Sequence, residues 1–255
     1  MLSITNLTAE LDHTPILRGI TLSVLPQELH LMLGLNGSGK STFGKVLLGH
    51  PHYTKTGGTI ELLGEEISAL PTHERAKRGI FLSHQNPPEI EGVSAQDVFR
   101  AADKEREKRS IMVFKKVLQE NLKKSHLPLS FLSRPLNVGA SGGERKKMEM
   151  ASLLTLGARL AFLDEIDSGL DIDAVKAVAE GINAFLENGK NAVILVSHSA
   201  GILQYVKPTR VHIFCGGRIM KSGGMELAER VFKDGYEGLM DCEECSTVRG
   251  HALNP

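Results

Sequence analysis

Residues 28 to 49 read ELHLMLGLNGSGKSTFGKVLLG, and this stretch decides the fold. ELHLML is a short apolar run, GLNGSGKS is a glycine-rich loop, and FGKVLLG carries apolar residues at helical spacing, so the segment reads as strand, loop, helix. Gly34 to Ser41 satisfies the P-loop pattern in the setting that pattern needs. Backbone N–H groups of Gly34, Leu35, Asn36, Gly37, Ser38 and Gly39 are expected to converge on phosphate oxygens, backed by the positive end of the following helix. Lys40 is placed to reach the β and γ phosphates of ATP, Ser41 to coordinate Mg²⁺ and Thr42 to contact phosphate. The plain alternative, an ordinary glycine turn, is set aside on this context.

Further short apolar runs lie on either side of helix-like segments: GIFLS at 79 to 83, LAFLDE at 160 to 165 and NAVILVSH at 191 to 198. Such alternation predicts an α/β domain with a largely parallel sheet. Each run delivers polar residues to the carboxyl edge of the sheet, where open α/β sheets hold ligands. Asp164 is expected to hold Mg²⁺ through a water, and Glu165 to orient and partly deprotonate an attacking water. Gln85 is placed to touch the metal and the water, and His198 to donate to the γ phosphate. Taken alone, an apolar strand ending in two solvated acids, a surface glutamine or a satisfied histidine would each be the simpler reading. With the P-loop upstream they form a constellation, with Glu165, His198, Lys40 and Gln85 as its catalytic members.

Residues 2 to 25 and 58 to 63 read as short strands with turns, and Gly216-Gly217 between two strand-like runs signals a hairpin. Antiparallel elements are therefore expected beside the parallel core. From about residue 95 to 155 the composition turns charged and helical, and AADKEREKRSIMVFKKVLQENLKK (101 to 124) alternates signs as a solvated helix does.

With 255 residues the chain suits one elaborated domain. Thirty Lys plus Arg balance thirty Asp plus Glu, so no global basic field argues for nucleic acid or anionic lipid as a partner. The N-terminus MLSITNLTAELD lacks a targeting pattern, and no apolar stretch of about 18 residues appears, which predicts no direct membrane insertion and a cytoplasmic location. Three cysteines are too few for a disulfide framework, and Cys215, in an apolar strand-like run, is expected to be a reduced, packed thiol.

Ser141-Gly142-Gly143-Glu144 resembles the signature motif of the ABC family of ATPases, with Glu144 where glutamine is usual. That resemblance implies that Ser141, Gly142 and Gly143 bind the γ phosphate of ATP held by a second, head-to-tail copy of the chain. It also implies the P-loop ABC ATPase fold: α/β, with a largely parallel RecA-like core sheet, an antiparallel β subdomain and an inserted α-helical subdomain. The expected division is a catalytic core from 1-86 and 156-240, a helical subdomain from 87-155 and a flexible tail from 241-255. NVGASGGERKK (137 to 147), DEIDSGLDIDA (164 to 174), EIEGVS (89 to 94) and VHIFCGGRIMKSG (211 to 223) together resemble one branch of that family, the SufC ATPases of the SUF iron-sulfur cluster assembly machinery. The likeness runs to about Leu239. It implies a MgATP hydrolase that drives a SufB-like or SufB/SufD scaffold protein. It further implies that Ser168, Gly169, Leu170 and Asp171 meet their counterparts across the dimer, and that Gln85 to Ser94 face the scaffold. The alternative is the ATP-binding subunit of a membrane ABC transporter.

Two features stay open at this stage. The stretch ahead of the P-loop lacks Phe, Tyr and Trp; His13, in LDHTP, is the candidate ring for adenine, with a solvated loop histidine as the equal alternative. Cys242 and Cys245 have the spacing of a metal or redox clip, with His251 as a possible third ligand, against the default of an acidic tail.

Overall fold

The computed structural model describes residues 1–236, so Cys242, Cys245, His251 and the expected tail lie outside the described residues. The chain begins with strands β1 (Leu2–Leu11), β2 (Thr14–Val24) and β3 (Leu29–Leu33), followed by helix α1 (Lys40–Leu48). Next come β4 (Thr54–Leu62), β5 (Glu65–Glu66), α2 (Thr72–Lys77) and β6 (Ile80–Leu82). A helical stretch follows, with β7 (Ile90–Ser94), α3 (Ala95–Glu105), α4 (Ile111–Lys124), β8 (Pro135–Leu136) and α5 (Gly142–Thr155). The chain then returns to the core through β9 (Leu160–Asp164), α6 (Ile172–Leu186), β10 (Ala192–Val196), the hairpin β11 (Arg210–Cys215) and β12 (Arg218–Gly223), and α7 (Met225–Asp234).

The main sheet has the order β12-β11-β3-β10-β9-β6, parallel throughout except for β12. A second sheet, β2-β1-β4-β5, is antiparallel. β3, β9 and β10 are buried at every position, as strands covered on both faces must be. Period-two alternation assigns their side chains: Leu29, Leu31 and Leu33 pack with α5, α6 and α7, whereas Met32 joins Phe43 of α1 and the inner face of the antiparallel sheet. Phe43 lies edge-on to Phe162 at 5.7 Å and stacks on Phe214 at 6.2 Å, fixing α1, and so the P-loop, against β9 and β11. Each such ring pair contributes about 0.5–1.5 kcal/mol beyond the area it buries.

The stretch expected to be one solvated helix is two helices. α3 stops at Glu105 and α4 starts at Ile111, with Lys108 at a positive φ of 52° between them. Ser110 caps α4 by accepting from the Val113 N–H. The break is held where the Arg106 and Arg109 guanidiniums donate to the Gly157 and Thr155 carbonyls at the end of α5. Nor is α4 solvated all round, since Phe114, Leu118 and Leu122 form a third core with Phe99, Met148 and Ala151. Helix α5 thus belongs to two cores, its Met150 and Leu153 facing the sheet.

Cys215 is buried, as a strand residue of β11 should be, but it is disulfide-bonded, which overturns the reduced thiol. An apolar run reports that a thiol is packed and says nothing of which sulfur it meets. One polar chain crosses the core: the Glu28 carboxylate accepts from His30 Nε2 (2.9 Å), His30 Nδ1 accepts from His212 Nε2 (3.0 Å), and His212 Nδ1 accepts from the Ser222 hydroxyl (2.7 Å). Burial, and then the neighbouring His30, push His212 down to about 4, so the chain is neutral at its centre.

Candidate active site

The P-loop is the connection from β3 to α1, and its shape follows from glycine. Gly39 caps α1 with φ 104°, a value side-chain-bearing residues avoid, and any Cβ on Gly34 would run into the Phe214 carbonyl oxygen. Lys40, 4% exposed, turns back into its own loop, donating to the Gly34 carbonyl (2.8 Å), the Leu35 carbonyl (2.9 Å) and Ser38 Oγ (3.3 Å). Burial pushes its ammonium down to about 8, against the pull of Glu165 and Asp164.

β9 carries Asp164 into the same corner. Its backbone N–H donates to Ser83 Oγ (2.7 Å), its carboxylate bonds to the Ser41 hydroxyl, and its Oδ1 is buried with no hydrogen-bond partner among the described residues. Burial raises its pKa, with Ser41 and Lys40 opposing. Glu165 follows with φ 50°, held by its N–H donating to the Val196 carbonyl (3.0 Å). This αL turn swings the carboxylate out of the strand and between two neighbours: Gln85 Nε2 donates to Oε2 at 3.0 Å, and His198 Nε2 lies 3.4 Å from Oε1. His198 is pushed down, by burial first and then by Lys40, and is therefore neutral at pH 7. Asn36 to Thr42, Gln85 and Glu165 line one pocket of about 380 Å³, together with Ile16.

Ser141, Gly142 and Gly143 do not line that pocket. Ser141 is the N-cap of α5 in a capping box: its Oγ accepts from the Glu144 N–H (3.3 Å), and its own N–H donates to Glu144 Oε2 (2.7 Å). Nothing stands within 4 Å of where a Cβ on Gly142 would be, so this helix end is open. Ser168, Gly169 and Asp171 are exposed, and Asp171 caps α6 by accepting from the Ala174 N–H (2.7 Å). The P-loop pocket and the open N-terminus of α5 are therefore distinct places on one chain.

The chain's similarity to known proteins agrees with this geometry. A family model described as ABC transporter matches residues 17–168. The "Probable ATP-dependent transporter SufC" of Escherichia coli is 41% identical over 247 residues, covering 94% of this chain and 99% of that one. The chain belongs to the SufC branch of the ABC family. A second relative of this SufC-branch ATPase, "Probable ATP-dependent transporter slr0075" of Synechocystis, is 45% identical over 245 residues, covering 94% of this chain and 95% of the relative. Among solved structures, the "Dimeric Structure of MJ0796, a Bacterial ABC Transporter Cassette" superposes with a TM-score of 0.75 at 20% identity, covering 88% of this chain and 99% of that one, a likeness of fold. The ATP-binding cassette fold and membership of an ATP-hydrolysing family stand on these matches. Among the described residues, no helix is long and apolar enough to cross a membrane.

Several site features escape sequence reasoning. Lys146 and Glu149, read as part of a charged run, are 5% and 7% exposed and 3.2 Å apart. Lys146 Nζ donates to the His84 and Gln85 carbonyls, and the His84 N–H donates to Glu149 Oε1 (2.6 Å), so the signature helix clamps the backbone that carries Gln85. Their spacing of three was visible, but the backbone they hold is about 60 residues away in sequence. His13 is a solvated turn residue 98% exposed, and the aliphatic Ile16 occupies the pocket wall.

Proposed function

We propose that this ATPase binds MgATP with Gly34 to Thr42, that Glu165 positions and deprotonates the attacking water, and that a second copy supplies Ser141, Gly142 and Gly143. The observation that carries this reading is the separation of the P-loop pocket from the open N-terminus of α5, which leaves each chain with two complementary half-sites. Lys40 exchanges its Gly34 and Leu35 carbonyls for phosphate oxygens. Gln85 and His198, which bracket the Glu165 carboxylate, release it toward the water when the second copy closes, and neutral His198 donates to the γ phosphate. Ser41, Gln85 and the orphaned Oδ1 of Asp164 form an oxygen-rich donor set suited to Mg²⁺. Held by these residues, Mg²⁺ would supply positive charge to offset that of the phosphates.

The working partner in this reading is a SufB-like or SufB/SufD scaffold in the cytoplasm, on which iron-sulfur clusters are built. Gln85 to Ser94 supply its docking surface: Ile90 and Val93 are 36% and 40% exposed, beside an apolar groove of about 250 Å³ that Pro88, Phe99 and Met148 help line. The relatives' printed names, "ATP-dependent transporter", favour a second reading in which the same surface grips a membrane permease. A detergent-free pull-down from the native host, with iron and sulfide assays of the co-purifying protein, separates the two. A stoichiometric soluble scaffold is expected; recovery only from solubilised membranes with a polytopic partner would overturn the assembly role.

A further inference from the structure

One buried acid stands beside the nucleotide corner without lining its pocket. Asp167 is 6% exposed, and its Oδ2 accepts from the hydroxyl of Ser197, itself shut off from solvent, at 2.7 Å. Ser197 Oγ in turn accepts from the Ser199 N–H (3.0 Å), the local bond by which a serine fixes a turn. A single hydroxyl thereby grips the backbone on both sides of His198.

We propose that Asp167 is a positioning residue for ATP hydrolysis, which through Ser197 sets where the His198 imidazole stands against Glu165. This role rests on Glu165 and His198 acting in hydrolysis as proposed.

The anchor is firm because the acid sits in a tight turn. Ile166 is packed in the core under the main sheet, and the Ser168 N–H donates to the Glu165 carbonyl (3.1 Å). The ends of β9 and β10 are joined at two points, by the Glu165 N–H on the Val196 carbonyl (3.0 Å) and by Ser197 on Asp167. The first places Glu165, and the second reaches past β10 to the turn that carries His198. His198 needs that support. Its side chain is 37% exposed, and its Nε2 meets Glu165 Oε1 at 3.4 Å, too long a contact to hold the ring by itself. Catalytic groups keep their geometry within about 0.5 Å when supporting hydrogen bonds lock them.

The choice of an acid also points to the site. Burial pushes the Asp167 carboxyl up, the bond from Ser197 pulls against it, and His198 is the cation that also favours its charge. A buried carboxylate without a lysine or arginine beside it is costly, and a hydroxyl or apolar side chain in the same turn would spare that cost. What the carboxylate supplies is a charge-assisted bond, shorter and stronger than a neutral one, and so a stiffer hold on Ser197.

The test is steady-state hydrolysis of MgATP by the full chain, with melting temperatures taken alongside. Asp167→Ala should lower kcat at least about tenfold, the worth of one hydrogen bond to a charged group, with KM for ATP unchanged. Ser197→Ala should lower kcat similarly, and it keeps the test open where Asp167→Ala does not fold. Asp167→Asn, which still accepts from the hydroxyl, should recover most of the rate. In a His198→Ala background, whose residual rate is read from single turnovers, Asp167→Ala should cause no further loss, because the acid acts through the ring. Full kcat in the folded Asp167→Ala and Ser197→Ala chains, or an equal further loss in the His198→Ala background, would overturn the role of Asp167 alone. A His198→Ala chain with the wild-type rate would overturn the reading of His198 and the role of Asp167 with it.

Discussion

Lys40 makes ATP affinity fall in mildly alkaline solution, well below the range where lysines ordinarily titrate. In the nucleotide-free chain, burial in the loop brings its ammonium down to about 8, from an ordinary value of 10.5. Nucleotide phosphates favour the charged form, so the bound-state pKa is higher than the free one. Binding above the free value must then take up a proton, and affinity declines as pH rises through about 8. At about pH 9 roughly one lysine in ten is protonated before binding, so the Kd should rise about tenfold over that at neutral pH, or about 1.4 kcal/mol. Equilibrium binding of a fluorescent ATP analogue between neutral pH and about pH 9.5 reads this directly, with Lys40→Arg as the control. The arginine stays charged throughout, so its affinity, whatever its absolute level, should not move with pH. A wild-type Kd that is flat over this interval, or an arginine variant with the same slope, would refute the reasoning.

Lys146→Met should leave the Glu149 carboxylate buried beside the Gln85 backbone without its partner; chemical denaturation should report a loss of about 3–5 kcal/mol, partly restored by adding Glu149→Met. Glu144→Gln keeps the capping geometry but removes a negative charge from the helix end offered to phosphate. Sedimentation should therefore show tighter ATP-dependent dimers, by about 0.3–1 kcal/mol. His212 must stay neutral inside the fold while its unfolded counterpart charges near pH 6.5, so stability should decline as pH falls from about 6.5 to about 4, by up to about 3 kcal/mol. Thermal melts of His212→Gln should show a shallower acid slope than wild type.

The nucleotide corner was legible because its signals are local. Strand, glycine loop and helix are contiguous from Glu28 to Gly49, and Asp164, Glu165 and His198 each end an apolar run, so the parallel sheet carries them to one edge without further information. What stayed hidden depends on encounters distant in sequence. The break between α3 and α4 is fixed by carbonyls at Thr155 and Gly157, the Gln85 backbone is held from Lys146 and Glu149, and Ile16 reaches the P-loop only because β2 folds over it. Charge alternation was misleading in α4 because its lysines flank an apolar stripe at Phe114, Leu118 and Leu122 that becomes a core only when α5 is laid against it.

The central claim, that two copies complete each other's site, is tested most directly by mixing two inactive variants. Lys40→Ala removes the P-loop function of one chain, and Ser141→Arg blocks the signature end of the other. In a head-to-tail pair of the two, one site combines both lesions and the other has neither. Random pairing of equal amounts should restore about one quarter of the wild-type ATPase rate, since half the dimers are mixed and each mixed dimer has one intact site of two. A mixture as inactive as its separate components would show that each chain assembles its site alone, and would contradict the account.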